Sequence, residues 1–169
     1  MQPGDFLFIQ FGHNDEKAED PARYTSPEDT FRGNLAVFVK AAREKGAYPV
    51  LITPLTRRCY RDPQAKYSHG PYAAAMRELA RELCVPLIDL TAESEKLVDR
   101  MGEDAKQLYM NLPAGRFSHY PDGLEDNTHL QPAGALAFAG LVAEGLQALG
   151  GVYAGLLSDE ACQWMRERA

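Results

Sequence analysis

Basic blocks are missing from this chain. Its 169 residues carry 18 Lys and Arg against 24 Asp and Glu, for a net charge of −6, and no Lys/Arg-rich run occurs. Nucleic-acid binding needs a basic face to neutralise phosphates, so no nucleic-acid partner is expected. Cysteine is scarce as well: Cys59, Cys84 and Cys162 are widely spaced, odd in number and form no C-x-x-C pattern. The expectation is buried free thiols, which fits a reducing, cytoplasmic-type compartment. A long unbroken apolar run is also absent. The most apolar segment, Ala133–Leu157, is interrupted by Glu144, Gln147 and the Gly150-Gly151 pair, so it reads as a buried helix rather than a membrane span. No signal-peptide pattern stands at Met1, and no internal repeat is evident.

What is present is ordinary for a globular protein, with 45% hydrophobic and 25% charged residues. A chain of this length suits a single domain, residues 1–169, burying roughly 70% of its unfolded surface. Asp5–Phe11 has the length and the Phe/Ile content of a strand buried on both faces. Ser26-Pro27-Glu28-Asp29 reads as an N-cap, a proline at the first helical position and acids in the first turn. Phe31, Leu35, Phe38, Val39 and Ala42 follow at helical spacing, and Gly46 is a natural stop. "YPVLITP" predicts a second buried strand, Tyr72 to Leu83 a second helix and "VPLIDL" a third strand. Thr91 is expected to cap a helix containing Leu97, Val98 and Met101. The polar stretch Asn111–Thr128 reads as loop, followed by a helix from about Pro132 to Leu149 and a capped tail helix from Ser158.

Alternating strands and helices imply right-handed crossovers and a parallel sheet covered by helices on both faces. Ligands collect at the carboxyl ends of such strands. Gly12–Asp15, Thr53–Arg58 and Asp89–Thr91 fall at those ends. A second informative segment, "GLEDNTHLQPAGA", sets Asp126 three residues before His129. A carboxylate at that spacing can hold one imidazole nitrogen, fix the tautomer and stabilise the imidazolium formed when the other nitrogen takes a proton. A loop hydrogen bond or a helix cap would give the same spacing.

The combination of a strand ending in Gly-x-Asn-Asp with a late Asp-x-x-His resembles the SGNH (GDSL-type) hydrolases. Within that superfamily "FGHND", "ITPLTRR", "HGPYAAAMRELA", "VPLIDL" and "YPDGLEDNTHLQPAGA" are similar to the rhamnogalacturonan acetylesterase family, in the same order. The resemblance implies a three-layer α/β/α, flavodoxin-like parallel sheet and a carbohydrate O-acetylesterase without cofactor or metal. It implies that His129 is the general base, Asp126 its orienter, and Asn14 a side-chain donor to the oxyanion. Gly12 would let the backbone turn, while Gly12, His13 and His69 would line the substrate cleft. His13 and Asp15 also fit plain loop hydrogen bonding. Arg57 and Arg58 follow a strand end and fit either contact with a sugar acid or, as the default, a solvated pair.

The family's nucleophilic serine lies in a Gly-Asp-Ser motif after its first strand, and residues 1–169 contain no such motif. The block that supplies a second oxyanion donor is missing too. Of Ser26, Ser68, Ser94, Ser118 and Ser158, none follows an apolar strand. In the flavodoxin-like strand order Phe6–Phe11 would be the third strand, beside one that is absent here. The expectation is therefore an N-terminally truncated, inactive piece of an acetylesterase acting on acetylated carbohydrate. Two other readings are a carbohydrate-binding relic and a metal-dependent phosphoesterase, since Gly-His-Asn-Asp resembles a scrambled metallophosphoesterase motif.

Overall fold

The computed structural model describes residues 1–58 and 69–168. They form two compact units. One comprises Met1–Leu55 and His69–Thr91; the other holds Ala92–Ala169 with the segment that begins at Thr56.

The first unit is built on three parallel strands in the order β1 (Phe6–Ile9), β2 (Tyr48–Ile52), β3 (Leu87–Ile88). Phe6 pairs with Tyr48, and Leu51 with Leu87. Between the first two strands a π-helical turn, Pro27–Phe31, leads into α1 (Arg32–Glu44). Ser26 is extended and Pro27 occupies the first helical position, as the sequence predicts, although the Ser26 side chain makes no capping bond. Leu35, Val39 and Ala42 share one buried face because they recur every three or four residues. Gly46, at φ +68°, ends the helix in a conformation that a side chain would resist. Helix α2 (Gly70–Glu82) buries Tyr72, Ala73, Ala75, Met76, Leu79 and Ala80 in the same way. All of these but Ala73 join Ile9, Phe31, Leu35, Val39, Leu51 and Val85 in one core against the sheet. Burying a leucine such as Leu35 stabilises the fold by about 1.5–3 kcal/mol.

The sequence expectation differs from this unit at three points. The strand expected over Asp5–Phe11 is shorter and is not buried on both faces. It has β2 on one side, no strand covers its other edge among the described residues, and Phe8 is 43% exposed. Thr91 is not a cap: α3 (Leu90–Met101) starts before it. Its hydroxyl instead donates to Pro54 O (2.5 Å), and its N–H donates to the Thr53 hydroxyl (2.8 Å). Cys84 is exposed rather than buried; it lies at positive φ (+49°) in the turn that closes α2. Cys59 lies outside the described residues.

The second unit continues α3 into a 3-10 segment, Gly102–Leu108. The stretch expected to be a loop instead contributes to an antiparallel pair, β4 (Tyr109–Leu112) with β5 (Leu124–Leu130). After it come α4 (Pro132–Leu149), a short α5 (Gly151–Ala154) and α6 (Asp159–Arg168), where the Ser158 hydroxyl accepts the Ala161 N–H as the expected cap. A Cβ on Gly134 would lie 1.9 Å from Leu108 O, so only glycine lets α4 approach the 3-10 segment so closely. Helix α4 is less covered than the sequence suggests: 22% of its residues are buried, namely Gly134, Phe138, Gly140 and Leu146, which are spread around the helix. By length and composition alone it is apolar enough to cross a membrane, a property that helices of soluble cores share.

Candidate active site

In the second unit, Asp126 organises a turn inside β5. Its Oδ1 accepts the backbone N–H groups of Thr128 (2.8 Å) and His129 (2.9 Å). That pattern is what an Asp offers the backbone two and three residues ahead of it. Its Oδ2 lies 2.6 Å from His129 Nδ1. A carboxylate only accepts, so Nδ1 carries the proton and Nε2 of the neutral ring is the basic nitrogen. The Asp126 side chain is 26% exposed and the His129 side chain 79%, so the acid is sheltered while the base faces outward. Burial pushes the Asp126 carboxyl up. The His129 backbone and ring N–H groups and the Thr128 N–H outweigh that effect and hold it below the usual carboxylate range. The pair can therefore take a proton at Nε2 and stabilise the resulting imidazolium.

In the first unit, the chain leaving β1 turns at Gly12, whose φ of +135° suits glycine. A Cβ there would also meet Pro54 Cγ at 2.9 Å. Asp15 closes the loop: its Oδ2 accepts the Gly12 N–H (2.9 Å) and its Oδ1 the Thr25 hydroxyl (3.0 Å). The Tyr72 hydroxyl donates to Asp15 O (3.0 Å) and Thr25 O (2.8 Å), tying the loop to α2. Within this frame Asn14 is exposed, and its side-chain amide makes no hydrogen bond among the described residues. It is a neutral donor open to a ligand.

His69 occupies a different position from the one expected. It is 1% exposed, with Nδ1 3.0 Å from Glu16 Oε2 and Nε2 2.9 Å from Leu55 O. Both ring nitrogens are engaged inside the protein, so the ring offers no polar atom to a cleft. His13 packs against it with ring centroids 4.4 Å apart. At the ends of β2 and β3, Asp89 accepts from Thr53 Oγ1 (3.0 Å) and from Arg77 Nε and Nη2 (both 2.8 Å). That fork braces the strand ends.

Arg58 is the clearest residue that the sequence reading undervalued. It is not solvated: its side chain is 12% exposed, and its Nη2 meets Glu103 Oε2 at 2.8 Å. Its Nη1 reaches Asn127 Oδ1 (3.4 Å), and its backbone N–H donates to Asn127 O (3.0 Å). Asn111 Nδ2 donates to the same Asn127 Oδ1 (3.2 Å) and to Asp126 O (3.3 Å). The only available signal was Asn127 standing inside the Asp-x-x-His motif; its partners lie 69 and 16 residues away. Among the serines, Ser94 is fully buried and accepts the Thr56 N–H, while Ser158 caps α6. Ser118 Oγ lies 3.4 Å from the Nδ1 of its neighbour His119. Both are exposed. Ser68 lies outside the described residues.

Residues 1–137 match the profile of the GDSL-like Lipase/Acylhydrolase family. Rhamnogalacturonan acetylesterase RhgT of Bacillus subtilis (strain 168) is 46% identical over 150 residues, covering 87% of this chain and 62% of that protein. The chain thus spans less than two thirds of that relative's length. Among solved structures, the Bacillus subtilis protein YxiM superposes with a TM-score of 0.68 at 25% identity, over 88% of this chain and 38% of the other. A catalytic mutant of Axe2, an acetylxylan esterase from Geobacillus stearothermophilus, has a TM-score of 0.59 at 16% identity, over 83% of this chain and 58% of the other. With the parallel order β1-β2-β3, these likenesses establish the α/β class and agree with the expected three-layer α/β/α fold.

Proposed function

The chain belongs to the GDSL-like lipase/acylhydrolase family, and on that premise we propose that it carries the base and one oxyanion donor of a serine O-acetylesterase acting on acetylated carbohydrate. The observation that carries this reading is the Asp126–His129 pair, with its 2.6 Å contact and outward-facing Nε2. The name of the 46% identical relative supports rhamnogalacturonan as the carbohydrate. The family match includes residues of both compact units, which supports treating them as parts of one domain.

In this reaction a serine hydroxyl loses its proton to His129 Nε2 as its oxygen bonds to the acetyl carbonyl carbon. The carbonyl oxygen becomes an oxyanion, and the Asn14 amide donates to it; a fixed neutral donor of this kind acts where charge develops. Collapse breaks the bond to the sugar oxygen, which leaves with the proton from His129. Water then attacks the acetyl-serine, gives its proton to Nε2, and acetate and the serine hydroxyl are released. Asp126 steadies the imidazolium in both halves.

The serine belongs to a Gly-Asp-Ser motif that residues 1–169 do not contain. That feature favours a second reading, a carbohydrate-binding protein of the same fold without turnover. One experiment separates the two. These residues are joined in one polypeptide to a Gly-Asp-Ser strand and helix of the family and assayed with p-nitrophenyl acetate and acetylated rhamnogalacturonan. Turnover that falls roughly 10³-fold or more in His129→Ala supports the esterase. Turnover that ignores His129 overturns it, and saturable polysaccharide binding without turnover supports the binding protein.

A further inference from the structure

A histidine base works only if its ring is held, yet His129 is an exposed side chain at the end of a turn in a strand with few apolar anchors. The turn is held instead by polar contacts from two other segments. Asn127, directly after Asp126 and two residues before His129, is where they converge. Its Oδ1 accepts from Arg58 Nη1 and from Asn111 Nδ2, and its backbone O accepts the Arg58 N–H (3.0 Å). Asn111 also donates to Asp126 O (3.3 Å), so β4 grips the peptide bearing the acid. Arg58 is aimed in turn by Glu103, 2.8 Å away on the 3-10 segment.

We propose that Arg58, Asn111 and Asn127 are positioning residues: they hold the turn that presents His129 with its ring bonded to Asp126. The inference rests on the base reading of His129, but its geometry stands apart from that reading. Their polar contacts with Asn127, Asp126 O and Glu103 act on the segment between acid and base rather than on the imidazole. Arginine suits the task because its planar fork reaches two partners in fixed directions, here an amide oxygen and a carboxylate. A lysine could meet Glu103 but could not also span to Asn127.

The test uses the 169-residue chain itself and needs no catalysis. Amide exchange is followed at Thr128 and His129, whose N–H groups both donate to Asp126, and the Asp126 carboxyl is titrated by carbon-13 NMR. Asn127→Ala and Arg58→Ala should each speed exchange at these two amides by ~10-fold or more, while the amides of α1 and α2 stay protected. The Asp126 titration should move up towards the usual carboxylate range, because the turn that supplies its donors has loosened. Arg58→Lys should behave like Arg58→Ala. Unchanged exchange and an unchanged Asp126 titration in both alanine variants would overturn the proposal, as would full rescue by lysine. Where Arg58→Ala reduces overall protection, Asn127→Ser decides: it keeps a small polar residue but cannot reach both partners, and a native-like exchange pattern at Thr128 and His129 would sink the idea. Failure here leaves the base assignment standing, whereas failure of His129→Ala to affect turnover leaves the positioning result readable.

Discussion

Asn14 and Asp126 show how one side chain is prepared for a task by what its neighbours leave it. Asp15, next to Asn14, spends both carboxylate oxygens on Gly12 and Thr25, so the loop is braced without drawing on the Asn14 amide. Replacing Asn14 by alanine in an active, serine-bearing polypeptide should lower kcat by roughly 10²–10³-fold with little change in KM. Steady-state kinetics on an acetyl ester would show it, and a loss confined to KM would make Asn14 a substrate-binding residue. For Asp126 the folded pKa is depressed below its unfolded value. Its contribution to stability is therefore complete above the unfolded carboxylate pKa, about 3.9, and disappears as pH falls through the lower folded value. Urea unfolding measured from pH 7 down to pH 2 should accordingly lose less stability in Asp126→Asn than in the parent across that acid window. Equal slopes would show that the three donors do not hold the charge. At Gly12 a Cβ would meet both positive φ and Pro54, so Gly12→Ala should cost about 1–3 kcal/mol in the same assay.

At the scale of elements, legibility follows periodicity. Helices α1 and α2 could be read because burial recurs every three or four residues, a pattern local sequence displays directly. Strand β5 could not: in "LEDNTHL" only the two end leucines are apolar, and its pairing with β4 is set by residues more than ten positions away. The length of α4 was legible, whereas its shallow burial was not, since apolar composition says what a helix can bury and not what lies beside it. Where α4 does dock, the contact is intimate. Gly134→Ala would push a methyl into Leu108 O, and should cost about 2–4 kcal/mol by chemical denaturation, far above an ordinary glycine-to-alanine change in a helix. A variant as stable as the parent would mean that α4 can move off the 3-10 segment without cost.

For the molecule as a whole, the open edge of β1 should govern behaviour in solution. Phe8 and Phe11 are both substantially exposed, and no strand covers that edge among the described residues. Such an edge is a template for pairing with another chain. The 169-residue chain should therefore elute as associated species in size-exclusion chromatography, and Phe8→Lys should shift it towards monomer. A monodisperse parent would show that the edge is protected. Sequence alone determined the alternation of strand and helix, the parallel sheet, the family and the Asp-x-x-His spacing, because each is written in intervals of a few residues. Tertiary structure decided the rest. It buried His69 between Glu16 and Leu55, turned Arg58 from a surface charge into a brace for Asn127, and put Thr91 to work on Pro54. These partners are brought together by chain folding across 14 to 69 residues, and no local pattern records which polar atoms will be left facing one another.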